Sequence, residues 1–141
     1  MTTEVTKVVC YVVHDTHLLV FTHDTVPLTT TGVQVPAGTV EAGEALQQAA
    51  VRELREETGL DGEVVRLLGV QRYDLRPARQ EVAVRHFALM SVEDARVGDR
   101  WTTGEATPSD GGAPVTWTCW WMPLVDAHVL SAGLGAMLAR V

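Results

Sequence analysis

The chain has 141 residues, 46% of them hydrophobic, and carries a formal charge of -7. That length suits one domain, residues 1–141, and is short for two. The acidic balance argues against nucleic-acid or membrane-surface binding by whole-molecule attraction, and the absence of a long apolar run or a charged, apolar leader pattern makes a soluble cytoplasmic protein the expectation.

Residues 7–13 (Lys-Val-Val-Cys-Tyr-Val-Val) form a β-rich apolar run of the kind that is covered on both faces, and residues 17–22 follow after a short turn, so two paired strands are expected. Cys10 sits in the first run and Cys119 in a similar one near the end. They offer neither a metal spacing nor a disulfide framework and read as buried free thiols of a reducing compartment. A Pro36-Ala37-Gly38 loop and Gly43 then allow sharp turns before a helix expected over residues 44–58.

That helix carries Glu53, Glu56 and Glu57 at i, i+3 and i+4, so three carboxylates are neighbours on its surface. Like charges at this spacing cost roughly 0.2–0.5 kcal/mol per pair. Gly59-Leu60 reads as the C-terminal cap, which places the acids at the negative end of the macrodipole, a further cost of roughly 0.3–1 kcal/mol. A solvated acidic face would hold the same residues. The helical rotation argues otherwise, because Glu53 and Glu57 fall within roughly 20° of Leu46 and near Ala50 and Leu54, and so point inward or into a cleft. Oxygen ligands without Cys or His partners suit Mg²⁺ or Mn²⁺ rather than zinc. Arg52 reaches Glu56 at i+4, and one arginine cannot neutralise three carboxylates.

Further strands are expected at residues 64–73, 81–90 and 115–122, the last stopped by Pro123. Residues 90–115 are rich in Gly, Asp, Thr and Pro with little periodicity, a length unusual for a connection unless the loop is functional. Helix formers interrupted by Gly133 and Gly135 predict a second helix over about 126–140, and strands mixed with two helices indicate an α/β layered domain. Seven of the eleven basic residues, Arg66, Arg72, Arg76, Arg79, Arg85, Arg96 and Arg100, fall in the middle of the chain, after the acidic helix.

Gly38, Glu44, Arg52, Glu53, Leu54, Glu56, Glu57, Gly59 and Leu60 occupy every specified position of a pattern of glycine, five residues, Glu, seven residues, then Arg-Glu-aliphatic-x-Glu-Glu-x-Gly-aliphatic. The segment resembles the signature of the Nudix hydrolases. The box covers about a sixth of the chain, and nine defined positions in 23 residues make it specific. The resemblance implies an α/β/α sandwich with a mixed β-sheet and a Mg²⁺- or Mn²⁺-dependent cleavage of a diphosphate in a nucleotide-derived small molecule. It implies that Glu53, Glu56 and Glu57 hold the metals together with the backbone carbonyl of Ala37, that Gly38 permits the turn aiming that carbonyl, that Arg52 orients the carboxylates, and that Glu44 supports the loop or reaches a metal through water. In similar proteins the stretch between the fourth and fifth expected strands, here residues 90–115, often supplies one more carboxylate to the metals or the general base. Glu105 is the candidate here, with Glu93, Asp99 and Asp110 competing, and Glu53, Glu56 and Glu105 remain open as the base.

Substrate phosphates require cations. Arg85 alternates with Ala83, Phe87 and Leu89 and so needs an anionic partner, either substrate or a box glutamate, while Arg72, Arg76 and Arg79 flank the turn before that strand. Tyr73, Trp101, Trp117, Trp120 and Trp121 offer aromatic planes, although Trp117 and Trp121 alternate with Cys119 as core residues do. The five histidines show no ligand spacing. The Gln34-Val35-Pro36-Ala37-Gly38 entry is similar to members acting on nucleotide sugars such as ADP-ribose, and short chains of this type also hydrolyse nucleoside triphosphates. The alternatives are a non-catalytic nucleotide-binding regulatory module, which a complete box disfavours, and an RNA-end pyrophosphohydrolase, which an acidic chain supports weakly. Many similar proteins are homodimers, which makes a homodimer an expectation from resemblance alone.

Overall fold

The computed structural model describes residues 2–24, 32–105, 111–112 and 115–141. Among the described residues there are seven strands, β1 (Thr3–His14), β2 (His17–His23), β3 (Ala37–Thr39), β4 (Gly62–Asp74), β5 (Glu81–Val92), β6 (Arg100–Glu105) and β7 (Val115–Pro123), and one α-helix, α1 (Leu46–Thr58). They form a mixed sheet in the order β4-β5-β1-β2-β7-β6, with β3 paired to β1. Among the described strands only β1 and β5 pair in parallel, from Thr3 opposite Glu81 to Val12 opposite Met90.

The strand expected over 7–13 is apolar throughout because both of its faces are covered. Val8, Cys10 and Val12 pack with Ala49, Ala50 and Leu54 of α1 and with Trp117, Cys119 and Trp121, whereas Val9 and Tyr11 pack on the other face with Phe87, Val35, Ala127 and Leu134. This places α1 over one face of the sheet and the C-terminal segment over the other.

That C-terminal layer corrects one expectation. Instead of a helix over 126–140 there are two 3₁₀ turns, Leu124–Val129 and Leu138–Arg140. The chain between them takes positive φ at Ala132 (53°) and Gly133 (73°), conformations incompatible with a right-handed helix. The segment is pinned through side chains instead. The Tyr11 hydroxyl donates to the Leu134 carbonyl and accepts from the Met137 N–H at 3.3 Å, and Arg140 Nη1 donates to the Leu68 carbonyl at 2.9 Å. A second correction concerns residues 90–115, where β6 pairs with β7 from Arg100 opposite Trp120 to Glu105 opposite Val115.

β1 meets β2 through only two residue pairs, Val13 with Leu18 and His14 with His17, at a tight hairpin whose Asp15 and Thr16 both have positive φ. Farther back along β1, at Lys7–Val9, its partner on that side is β3. The sheet therefore opens between β3 and β2, and the helix carboxylates stand at that opening.

The carboxyl end of α1 is capped by Gly59 and tied to the sheet by donors from two strands. Gly59, with φ 79°, donates its N–H to the Arg55 carbonyl at 2.9 Å, which is the expected cap. The Trp117 indole of β7 donates to the Glu57 carbonyl, and Trp101 Nε1 of β6 donates to the Thr58 carbonyl at 2.8 Å. Carbonyls at a helix end have no partner within the helix, so these indoles replace the missing bonds and fix how far α1 projects. Trp101→Phe keeps a ring and removes its donor. It is expected to lower stability by about 1–3 kcal/mol, measured by urea unfolding, and an unchanged midpoint would refute this role.

Candidate metal and substrate site

Rotation along α1 divides the three acids. Glu53 is only 9% exposed, Glu57 is partly buried and Glu56 lies in solvent. Gly38 of β3 lies directly beneath Glu53, and a Cβ built on Gly38 would fall inside the Glu53 carboxyl group. The Ala37 N–H donates to Glu57 Oε1 at 3.4 Å. Ala37 and Gly38 of β3 thus contact one acid each.

Burial is the main cause that raises the Glu57 carboxyl, to about 9, and the negative charge of Glu53 adds to it. Glu53 is also raised, chiefly by burial and against the pull of Arg52. Arg52 Nη1 donates to Glu53 Oε1 at 2.8 Å and to Glu56 Oε2 at 3.3 Å. Its Nε and Nη2 bond both oxygens of Glu44 at 2.8 Å, and Nη2 also reaches the Thr39 carbonyl at 3.0 Å. The guanidinium, with help from the Glu41 N–H, holds Glu44 down to about 2. Arg52 is consequently shared among several acceptors and makes no bond to Glu57, whose ionised form has no cationic partner among the described residues. Among the described residues no three His, Cys, Asp or Glu side chains converge on one point, because Glu56 is drawn toward Arg52.

The carboxylates open into a cavity of about 460 Å³ whose lining includes Ala37, Gly38, Glu53, Glu56, Glu57 and Arg85. The structure thus brings Arg85 to the same cavity as the box residues. Its hydrogen bonds run to the Ala132 carbonyl at 2.6 Å and Gln71 Oε1 at 3.5 Å, and its guanidinium lies 4.0 Å from the Tyr73 ring centroid. Arg72, Arg76 and Arg79 lie outside the lining and form surface ion pairs with Glu4 (3.1 Å), Asp74 (2.6 Å) and Glu81 (3.7 Å). Glu105 closes β6, but its side chain lies outside the described residues, as does Asp110. Glu93 and Asp99 fall between β5 and β6, away from the lining.

Of the aromatic planes, Trp117 reaches the cavity, joined by two residues that the sequence did not single out, Phe21 and His23. Their rings form a triangle with centroids 5.7–6.2 Å apart. Lys7 was missed as well. It opens the apolar run of β1, and only the register of the neighbouring strands shows that its side chain lines the cavity.

This architecture has known counterparts. A UDP-X diphosphatase shares the fold with a TM-score of 0.66 at 14% identity, over 99% of this chain and 63% of that one. A MutT NUDIX hydrolase from Burkholderia pseudomallei superposes with a TM-score of 0.62 at 21% identity, over 99% and 98% of the two chains. In sequence, an ADP-ribose pyrophosphatase of Methanocaldococcus jannaschii is 48% identical over 55 residues, 39% of this chain and 32% of that protein. The curated relatives are matched over 32% of their own length or less. The NUDIX domain model matches residues 4–140, from the first strand through the C-terminal layer, and the chain therefore belongs to the Nudix family.

Proposed function

We propose that the protein is a divalent-metal-dependent pyrophosphohydrolase that cleaves the diphosphate of a nucleoside diphosphate derivative, either a nucleotide sugar such as ADP-ribose or a nucleoside triphosphate. The observation that carries this reading is the buried Glu53 beside the partly buried Glu57 at the mouth of a cavity, with Arg52 bonded to the first and not to the second. The donor set fits a hard cation, since it is made of carboxylate oxygens with the Gly38 backbone leaving room beside them. Glu53 and Glu57, with Glu56 released from Arg52 and the carbonyl of Ala37, would hold Mg²⁺ or Mn²⁺. Such ions, when bound, supply an acidified water and charge stabilisation for phosphoryl oxygens.

The residues of the chain divide the remaining work. Arg52 orients Glu53 and Glu56 from behind the cavity while Glu44 anchors Arg52, so the carboxylates are held before substrate arrives. The proton of the attacking water would pass to Glu53, Glu56 or Glu105. Phe21, His23 and Trp117 give the substrate an aromatic wall beside the carboxylates. The name of the archaeal relative, ADP-ribose pyrophosphatase, supports a nucleotide sugar as substrate.

A panel of ADP-ribose, other nucleotide sugars and nucleoside triphosphates, assayed with Mg²⁺ and with Mn²⁺, should show metal-dependent release of a nucleoside monophosphate or a phosphorylated fragment. No turnover of any member with either metal would sink the proposal. Glu57→Gln is expected to lower turnover on the order of 10²-fold or more. The same variant has a signature without metal. A carboxyl raised in the folded chain favours folding below its unfolded value, roughly 4.3, and that contribution is lost as pH rises through the folded value, about 9. In EDTA, wild-type stability should therefore fall between pH 5 and pH 8, and urea midpoints of Glu57→Gln should fall less.

Gly38→Ala tests the cradle. The added methyl must displace Glu53, at a cost of about 1–3 kcal/mol in folding stability, and turnover should fall at temperatures where the variant remains folded by circular dichroism. Wild-type turnover would refute the close approach.

A further inference from the structure

Across the sheet face turned away from α1, a polar row interrupts an apolar surface. Thr39 of β3, Lys7 of β1, Arg85 of β5 and Gln71 of β4 are successive register partners. The row on one side is Ala37, Val9 and Phe87, and that on the other is Val5, Ala83 and Tyr73. Two cations thus stand on directly paired strands, about 4.8 Å apart along the hydrogen-bonding direction, where like charges repel.

Neither has an acid to offset it. Arg52, Arg55, Arg72, Arg76 and Arg79 each pair with an acid, whereas Lys7 and Arg85, like Arg66, Arg96, Arg100 and Arg140, have no carboxylate partner among the described residues, and of these only Lys7 and Arg85 line the cavity of the glutamates. Lys7 Nζ donates to Thr39 Oγ1 at 2.6 Å, and Arg85 uses Nη1 alone, on Ala132 and Gln71. The Nε and Nη2 donors of Arg85 find no acceptor among the described residues, and the guanidinium is partly buried against Tyr73. Both cations line the cavity that also holds the glutamates, together with apolar residues such as Val9, Val35 and Leu134. In a chain of net charge -7, two cations that share this cavity without an ion pair to any of its acids are a cost that an anion would remove.

We propose that Lys7 and Arg85 form a phosphate subsite that seats a phosphate group of the substrate lying beyond the phosphoryl held at the carboxylates. This rests on the hydrolase reading for the identity of the ligand and names a feature of it: the substrate carries anionic charge at two separated places, one directed to the glutamates and one to this row. Arg85 also fixes the Ala132 carbonyl, where the backbone has positive φ, so the subsite is built on a braced wall. Lys7 makes no such brace and is the cleaner residue to change.

The test begins with metal-free protein in EDTA, titrated with inorganic phosphate and followed by amide NMR. Saturable shifts are expected at residues 7, 39, 71 and 85, weakened about tenfold by Lys7→Gln and preserved in Glu57→Gln. Lack of saturation, shifts confined to other residues, or indifference to Lys7→Gln would overturn the subsite. This arm needs no turnover, so it decides the subsite even if the panel reveals no substrate. With a substrate in hand, inorganic phosphate should inhibit competitively, and Lys7→Gln should act on KM rather than on kcat. Noncompetitive inhibition would assign the row to free phosphate and overturn its assignment to the substrate.

Discussion

Holding two neighbouring carboxylates of one helix out of water is the constraint around which the rest of the molecule is arranged. Glu53 and Glu57 are one turn apart, and burial and mutual repulsion both work against their ionised forms. Their helix would need less if they faced solvent, yet Ala50 and Leu54 on the same side are fully buried in the core. The core contacts that hold α1 to the sheet thereby carry the acids inward. Arg52 answers part of the charge and is itself steered by Glu44. The indoles of Trp101 and Trp117, with the N–H of Gly59, occupy the carbonyls that would otherwise add their negative potential at this end of the helix.

The opening in the sheet serves the same constraint. Were β2 to pair with β1 along its whole length, the carboxylates would face a continuous sheet surface. Instead the chain runs beside β2 at Gln34, opposite Phe21, and then crosses to pair with β1 at Ala37–Thr39. The crossing delivers Gly38 under Glu53 and the Ala37 N–H to Glu57. A three-residue strand would contribute little as an element of the core. Its value lies in bringing backbone close to two acids, which requires a residue without a side chain at its centre.

The parts legible in the sequence were those whose signal is local. Apolar or alternating runs marked β1, β2, β4, β5 and β7, and a 3.6-residue period marked α1 and turned Glu53 and Glu57 inward. The glycine cap was equally local. β3 escaped because three residues of Ala-Gly-Thr carry no pattern, and β6 because Arg-Trp-Thr-Thr-Gly-Glu shows its alternation only once β7 supplies a register. The end of the chain misled because helix-forming residues are a weak prior, and left-handed backbone at Ala132 and Gly133, anchored by Tyr11 and Arg85, overrode it. Arg85 announced itself as a cation among apolar neighbours. Lys7 did not, since a lysine at the edge of an apolar run looks like its solvated boundary, and only the pairing of three strands places it beside Arg85.

Acids and cations both line the cavity, and this has a physical consequence for any anion that approaches. Screening confines electrostatic effects to about 8 Å at physiological ionic strength, so the overall charge of -7 governs solubility more than it governs events inside the cavity. Within that range the glutamates alone would repel a diphosphate, and Arg52 sits behind them with its donors already committed. On the proposed reading, attraction comes from cations bound by the glutamates and from Lys7 and Arg85 elsewhere in the lining. A substrate anchored only at the metal end would be free to rotate about its diphosphate, whereas a second anionic contact on a braced strand row fixes direction as well as position. Orientation of that kind is what separates binding a nucleotide from placing one of its phosphoryl groups in line for attack.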